Sequence, residues 1–163
     1  MRIQNSPLQC QASILNALSI KEFFPKQGIK ESFSMFDYVT DLNFDILEDA
    51  NEANEFMVRI EIDINNKGKK MPGYVISLKT DYLFQITDDG LDETAINNLK
   101  TLSAISISIA KLRGDLERIT QPYQFGTYSL PSIDMGDLFA KKTSLNQHSK
   151  IKNSFTNLQT KEF

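Results

Sequence analysis

The chain has 163 residues, of which 40% are apolar and 24% are charged, and its net charge at pH 7 is −3. This length suffices for one domain with a substantial core and is too short for two comfortable ones. No apolar run approaches the roughly 18 residues that a membrane span needs, and the amino terminus lacks an apolar signal segment, so we expect a cytoplasmic protein without a membrane partner.

The first predicted strand covers about residues 8 to 20. Its apolar residues alternate with polar ones, which predicts one buried face made of Leu8, Cys10, Ala12 and Ile14. The single cysteine cannot form an internal disulfide, so we interpret it as a buried, reduced thiol. Residues 21–28 contain proline and glycine, which predicts a loop.

Three further runs show the same period of two, at about residues 36–46, 56–64 and 73–86. The polar segment 65–70 contains a glycine and suits a hairpin between the last two runs. In the run at 36–46, the residues predicted to face the core are Phe36, Tyr38, Leu42, Phe44 and Ile46. The core face predicted for the last run is Tyr74, Ile76, Leu78, Tyr82, Phe84 and Ile86.

After residue 87 the apolar spacing changes to three and four, which predicts one long amphipathic helix from Asp92 to Thr120. Asp92 suits the N-cap, and Gln121–Pro122 ends the helix. A short second helix is predicted to begin near residues 134–137. Strands followed by helices indicate an α+β fold, with both helices on one face of a four-stranded antiparallel sheet.

The carboxyl-terminal segment is basic. From Lys141 to Phe163 five lysines stand against one glutamate, so this segment carries about +4 and the remainder about −7. We therefore predict one domain over residues 1–142 and a polar, basic tail over 143–163. The tail lacks arginine, which argues against nucleic acid as a partner.

Catalytic chemistry has few candidate residues in this sequence. The single histidine, His148, lies in the polar tail, and one histidine with one cysteine cannot supply a zinc site. The acidic run 88–93 lacks the ligand spacing of a calcium loop. We predict a protein that is not an enzyme and that needs no metal or cofactor.

Two irregular segments carry aromatic residues where loops are normally polar. These residues are Phe23, Phe24 and Phe33 in the first segment, and Tyr123, Phe125 and Tyr128 in the second. Each ring either pins its loop to the core or forms a surface for a partner, and the sequence leaves both interpretations open.

The long helix and the outward face of the sheet are only mildly polar. The helix carries Ser103, Ser106 and Ser108, and the outward sheet face includes Val39, Leu47, Met57, Val75 and Leu83. These faces suit packing between subunits, although solvated serines on a surface helix are the simpler alternative. We predict an oligomer interface that includes Ser103, Ser106, Val75 and Leu83.

Over about residues 8 to 142, the order of the predicted elements resembles that of the SecB chaperone family. The resemblance is strongest in 56–64, in 73–86, and in the stretch from Leu112-Arg113-Gly114-Asp115 through Tyr123-Gln124-Phe125-Gly126 to Pro131. The second helix of the family carries a motif of the type Phe-Asp-Ala-Leu-Phe, and the corresponding residues here are Met135-Gly136-Asp137-Leu138-Phe139.

The resemblance implies four antiparallel strands and two helices, assembled as a dimer of dimers that binds unfolded polypeptide without nucleotide. It also implies a client groove built from the loop after the first strand, the long helix and the loop before the second helix. The six aromatic residues named above, Phe23, Phe24, Phe33, Tyr123, Phe125 and Tyr128, map to that groove.

The sequence departs from export-type members at the positions where those members carry acidic residues for docking to the translocase ATPase. Ala17, Lys21 and Ser77 stand there, which argues against such docking. We therefore favour an ATP-independent holdase dedicated to an antitoxin in a toxin–antitoxin–chaperone module. The alternatives are a general export chaperone and an adaptor subunit that binds one folded partner. A small-molecule binder or enzyme is a third alternative, for which the sequence offers little.

Overall fold

The computed structural model describes residues 5–24, 33–49, 52, 54–88 and 90–144. The chain divides into two compact units, Met1–Leu130 and Pro131–Phe163. The first unit contains the strands β1 (Leu8–Phe23), β2 (Thr40–Glu48), β3 (Glu55–Ile64) and β4 (Gly73–Ile86). They form one antiparallel sheet in the order β1-β4-β3-β2, so β1 and β2 are its edges.

The two central strands follow the predicted alternation. On β3, Val58, Ile60 and Ile64 are fully buried, whereas Glu61 between them is exposed. The even-numbered residues of β4 are also buried, and those from Ile76 to Phe84 each pair with an even-numbered residue of β3 across the ladder. Because directly paired residues of an antiparallel ladder share a face, this register builds one continuous apolar surface.

One continuous helix covers that surface. It consists of α1 (Glu93–Asn98), a π-helical turn (Leu99–Ser103) and α2 (Ala104–Thr120). The Asp92 side chain accepts a hydrogen bond from Ala95 N at 2.7 Å, as expected of an N-cap. The buried helix residues include Ile105, Leu112 and Leu116. The Tyr74 and Tyr82 hydroxyls of β4 reach α2, which places the helix on the even-numbered face of the sheet.

The side chains of the edge strand β1 do not follow the predicted alternation along its whole length. Its register with β4 shifts between Cys10 and Ala12, and again between Leu15 and Ala17. Each shift is a β-bulge, which inserts one residue and moves the following side chains to the opposite face. Ala12 and Ile14 therefore share a face with Leu83 and Asp81, on the side away from the helix, and not with Leu8 and Cys10.

The start of β2 also differs from the prediction. Ser34 Oγ accepts a hydrogen bond from Phe36 N at 3.2 Å and caps a short 3₁₀ turn, Met35–Asp37. This turn delays the strand until Thr40 and leaves Phe36 68% exposed rather than in the core. A serine that caps a turn competes locally with strand formation, which accounts for the difference.

The second unit contains one described helix, α3, over residues 135–144. It includes Leu138 and Phe139, as predicted, and Lys141 pairs with Asp137 one turn earlier at 2.7 Å. The tail beyond residue 144, with His148, lies outside the described residues, as do residues 25–28 of the predicted first loop. The four-stranded antiparallel sheet, the long helix and this short helix confirm the predicted α+β class.

Within the described ranges, no helix combines the length and the apolar character that crossing a bilayer requires.

Candidate functional site

Aromatic side chains from the end of β1 and from the segment after α2 meet at the start of β4. The Phe24 and Phe125 rings stack with their centroids 5.0 Å apart. The Tyr74 ring meets Phe125 edge-on at 5.7 Å and Tyr123 edge-on at 6.2 Å. We call these four residues the aromatic patch. The two aromatic segments singled out in the sequence are thus brought together, although about 100 residues separate them.

Backbone contacts hold the segment after α2 in place. The Tyr74 hydroxyl donates a hydrogen bond to Gly126 O at 2.5 Å, and Tyr128 N donates to Thr120 Oγ1 at 2.8 Å. Gly126 adopts a φ of +75°, a conformation that residues with a side chain rarely take. These contacts fix Tyr123 and Phe125 relative to the sheet without a ligand, so the patch is preorganised.

The patch is open on one side. The Phe24 side chain is 53% exposed and Tyr123 is 39% exposed, whereas Phe125 is half-buried and Tyr74 is fully buried. Tyr74 therefore forms the floor, and the other three rings form an accessible apolar surface. Clustered exposed aromatic rings are uncommon on soluble proteins and mark interaction surfaces.

Two further predicted residues adjoin the patch at Gly73. Phe23 pairs with Gly73 across the sheet, and both Phe23 and Phe33 are half-buried. Gly73 has a φ of +108°, and a Cβ there would overlap the Tyr38 hydroxyl and lie 3.4 Å from the Phe33 ring. Only glycine fits at this position, because a side chain would collide with the Tyr38 hydroxyl that lies against it.

Tyr128 is the exception among the six predicted client-binding residues. Its side chain is fully buried, and its ring stacks on the buried Tyr38 with centroids 5.9 Å apart. The hydrogen bond from Tyr128 N to Thr120 Oγ1 turns the chain back onto the core. This corrects the prediction, because Tyr128 pins its segment to the core and has no surface to offer a client.

Tyr74 was predicted only as a core residue and not as part of a binding surface. The one available signal was its position as the first aromatic residue of β4, directly after a glycine.

The four residues predicted at an oligomer interface lie in different environments. Val75 is only 7% exposed, so it has almost no surface to offer a partner, and this part of the prediction is corrected. Leu83 and Ser103 are half-buried, whereas Ser106 is exposed. Ser108, which was assigned to the mildly polar helix face, is instead fully buried, and its hydroxyl donates to Ala104 O at 2.8 Å.

The edge strand β1 is exposed on both faces from Gln11 to Ser19. Ile14, Leu15 and Leu18 are 49%, 53% and 41% exposed. No charged residue occurs from Leu8 to Ile20, although charges are a usual protection of edge strands. A small cavity of about 120 Å³ lies where the helix side of β1 approaches α2.

Several charged groups of the outward sheet face are paired with one another. Arg59 donates two hydrogen bonds to the buried Asp81 carboxylate, both at 2.8 Å, and these bonds hold the pKa of Asp81 below its usual value. Among the described residues, no three histidine, cysteine, aspartate or glutamate side chains are grouped to hold a metal ion. These ion pairs link β3 to β4 across the ladder.

Comparison with known proteins identifies the fold. No protein-family model matches the chain, and no curated protein matches it in sequence. The structure is similar to the SecB-like chaperone Rv1957 of Mycobacterium tuberculosis, solved in complex with a ChAD peptide from the antitoxin HigA1. That likeness covers 77% of this chain and 90% of that chain, with 14% sequence identity and a TM-score of 0.53.

A protein of unknown function from Streptococcus agalactiae is also similar, over 77% of this chain and 97% of that chain, with 8% identity and a TM-score of 0.43. The likeness to Rv1957 shows that the chain has the SecB-like fold, as its sequence resemblance predicted.

Proposed function

We propose that this protein is an ATP-independent holdase chaperone, which binds unfolded or aggregation-prone polypeptide at the aromatic patch. The observation that carries the proposal is that two distant segments present exposed rings, Phe24 and Tyr123, on a fixed floor. Each aromatic side chain that a client buries contributes roughly 2–3 kcal/mol before entropy costs. Several such non-directional contacts capture many sequences without a strict code.

An antitoxin is the client that we favour. The SecB-like chaperone of similar fold was solved with a peptide from an antitoxin, which supports a polypeptide client of that kind. The outward sheet face supports the same choice over an export role. Ala17 pairs with Lys79, Ser19 with Ser77 and Lys21 with Val75, so none of these six residues offers an acidic side chain for docking to a translocase ATPase.

The direct test is suppression of aggregation. A chemically denatured client is diluted into buffer without ATP, and its light scattering is followed at increasing ratios of chaperone. We expect the wild-type chain to suppress aggregation near stoichiometric ratios. The double variant Phe24→Ser/Tyr123→Ser should need about tenfold more protein, because it loses the two most exposed rings of the patch.

Leu102→Ser is the matched control, because Leu102 is 50% exposed and lies in the π-helical turn, far along the helix from the patch. It should retain wild-type suppression. No suppression by the wild-type chain at a molar excess contradicts the holdase proposal and favours the adaptor alternative. Capture of the translocase ATPase by the purified chain would instead favour the export alternative.

We also propose that the chain associates with itself, as the predicted dimer of dimers requires, and that β1 forms one of the contacts. An uncharged edge strand with exposed Ile14 and Leu18 is a ready template for pairing with a second copy. Ser106 and the half-buried Ser103 remain candidates for a second contact along the helix.

Sedimentation analysis of the wild-type chain and of Ile14→Lys/Leu18→Lys tests this assembly. The wild type should sediment as an oligomer, and the double variant should sediment as a smaller species because two buried charges oppose strand pairing. A monomeric wild type, or an unchanged variant, contradicts pairing through β1.

A further inference from the structure

An apolar groove with acidic residues at its rim lies on the outward face of the sheet, near the connection between β2 and β3. Its floor is a row of half-buried apolar side chains across three strands, because Leu47 pairs with Met57 and Met57 pairs with Leu83. The cavity has a volume of about 420 Å³, and Glu52 and Glu55 are among the residues that line it. We call this site the acidic groove. Accessible apolar surface with a polar rim is typical of an interaction site.

The two glutamates of the groove carry negative charge that no described lysine or arginine neutralises. Within the described part of the chain, neither Glu52 nor Glu55 forms an ion pair, whereas Glu48 beside them pairs with Lys100 at 2.7 Å. A hydrogen bond with Glu55, followed by the negative charge of Glu55, raises the pKa of the Glu52 carboxyl. The two carboxylates repel each other, so a cation brought to the groove is attracted to both.

The loop between β3 and β4 has the complementary charge. Residues 65–72, which we call the basic loop, include Lys67, Lys69 and Lys70 and no acidic residue. All three lysines are exposed, and among the described residues Lys67 is the only one of the three that forms an ion pair. Val39, whose carbonyl accepts a hydrogen bond from the first residue of the loop at 2.8 Å, adds an apolar side chain that is 58% exposed. The basic loop therefore offers cations beside an apolar side chain.

A buried asparagine fixes the shape of the basic loop. The Asn65 amide nitrogen donates to Met71 O at 2.8 Å and to Tyr74 O at 2.7 Å, and its side-chain oxygen accepts from Met71 N at 2.8 Å. Asn65 is only 2% exposed and has a φ of +54°, a conformation that asparagine tolerates better than most residues. The lysines are thus presented on a preorganised loop, which reduces the entropy lost on docking.

The acidic groove and the basic loop of one chain lie at opposite ends of β3. The groove is at Glu55, where the strand begins, and the loop follows Ile64, where the strand ends. Because a strand rises about 3.3 Å per residue, roughly 30 Å separates the two sites, which is farther than a lysine side chain reaches. A chain therefore cannot satisfy its own groove with its own basic loop.

We propose that the basic loop of one copy of this chain docks in the acidic groove of a second copy. Lys69 and Lys70 then approach Glu52 and Glu55, and Val39 contributes apolar surface beside the apolar floor. Such a head-to-tail contact joins two different surfaces, so further copies extend the assembly unless it closes into a ring. The contact differs from pairing through β1, which brings the same strand of two copies together, and it does not depend on the holdase function.

Exchanging the charges tests the contact. Lys69→Glu/Lys70→Glu makes the loop acidic like the groove, and Glu52→Lys/Glu55→Lys makes the groove basic like the loop. Each variant alone places like charges together, so its self-association should weaken by about tenfold or more, measured by sedimentation velocity over a range of concentrations. Added salt should weaken the association of the wild type as well, because the contact is between exposed charges.

An equimolar mixture of the two variants brings opposite charges together again and should recover the assemblies of the wild type. Pairing through β1 is unchanged in every sample, so the recovery isolates the contact between loop and groove. Recovery also shows that both variants are folded. Lys69→Arg/Lys70→Arg retains the charge of the loop and is the control, which should associate like the wild type.

Three outcomes contradict the inference. Wild-type association that is insensitive to salt removes it without any variant. It is also contradicted if the charge-reversal variants associate as strongly as the wild type, or if their mixture stays as small as its components while both melt like the wild type in circular dichroism. Suppression of client aggregation tests the holdase proposal separately, so the two proposals can fail independently.

Discussion

Two stacked aromatic pairs lie near the start of β4 and differ in accessibility. Tyr38 and Tyr128 stack at 5.9 Å and are both buried, whereas Phe24 and Phe125 stack at 5.0 Å with Phe24 half exposed. Both pairs join segments that are far apart in sequence. The buried pair connects its segments to the core, and the open pair presents apolar surface. Ring stacking therefore stabilises the fold in one place and forms a candidate binding surface in the other.

The largest expected effect on stability is at the buried pair. Replacing Tyr128 by alanine removes a fully buried ring and should lower the free energy of unfolding by about 3–5 kcal/mol, measured by urea titration. Tyr128→Phe keeps the ring and should cost much less. A loss below about 1 kcal/mol for Tyr128→Ala would contradict the assignment of this residue to the core.

A smaller effect is expected at Asp81, which is buried beside Arg59. Replacing it by asparagine leaves the guanidinium without its anionic partner and should cost about 1–2 kcal/mol at neutral pH. The pKa of Asp81 is lowered in the folded state, so its stabilisation is present above the ordinary value of 3.8. It is lost as the pH falls through the lowered folded-state value.

Urea unfolding of both proteins at several pH values measures this difference. The stability of the wild type should fall towards that of Asp81→Asn in acid, so the gap between the two should narrow. A gap that stays constant from pH 7 to pH 2 would show that the Asp81 charge does not stabilise the fold.

The smallest effect on stability is expected at the open pair. Phe24→Ser should change the free energy of unfolding by less than about 1 kcal/mol, because half of the side chain already contacts solvent. Its effect on client affinity should be larger than its effect on stability. If Phe24→Ser instead reduced stability more than client affinity, Phe24 would be a structural residue. The two aromatic pairs would then not differ in role.

The sequence pattern predicted the central strands and the long helix correctly because their periodicity is uninterrupted. Val58, Ile60 and Ile62 alternate with charged residues, and a strand flanked by two others has no freedom to change its register. The bulges of β1 could not be predicted, because an inserted residue such as Gln11 or Asn16 differs in no way from an ordinary polar strand residue. The π-helical turn likewise has no mark in its sequence.

The candidate site was predicted in part. The aromatic segments were evident from composition, but the exposure of each ring depends on what packs across from it. Tyr128 is buried because Tyr38 and Thr120 lie against its segment, and that contact joins positions distant in sequence.

Site-specific photo-crosslinking tests the client surface most directly. A photoreactive phenylalanine is placed at position 24 in one protein and at position 102 in another, and each is irradiated with an unfolded, labelled client. Both side chains are about half exposed, so nonspecific hydrophobic binding of the client would give equal crosslinking at the two positions. We predict strong crosslinking of the client at position 24 and little at position 102. Equal yields at the two positions, or a higher yield at position 102, would contradict binding at the aromatic patch.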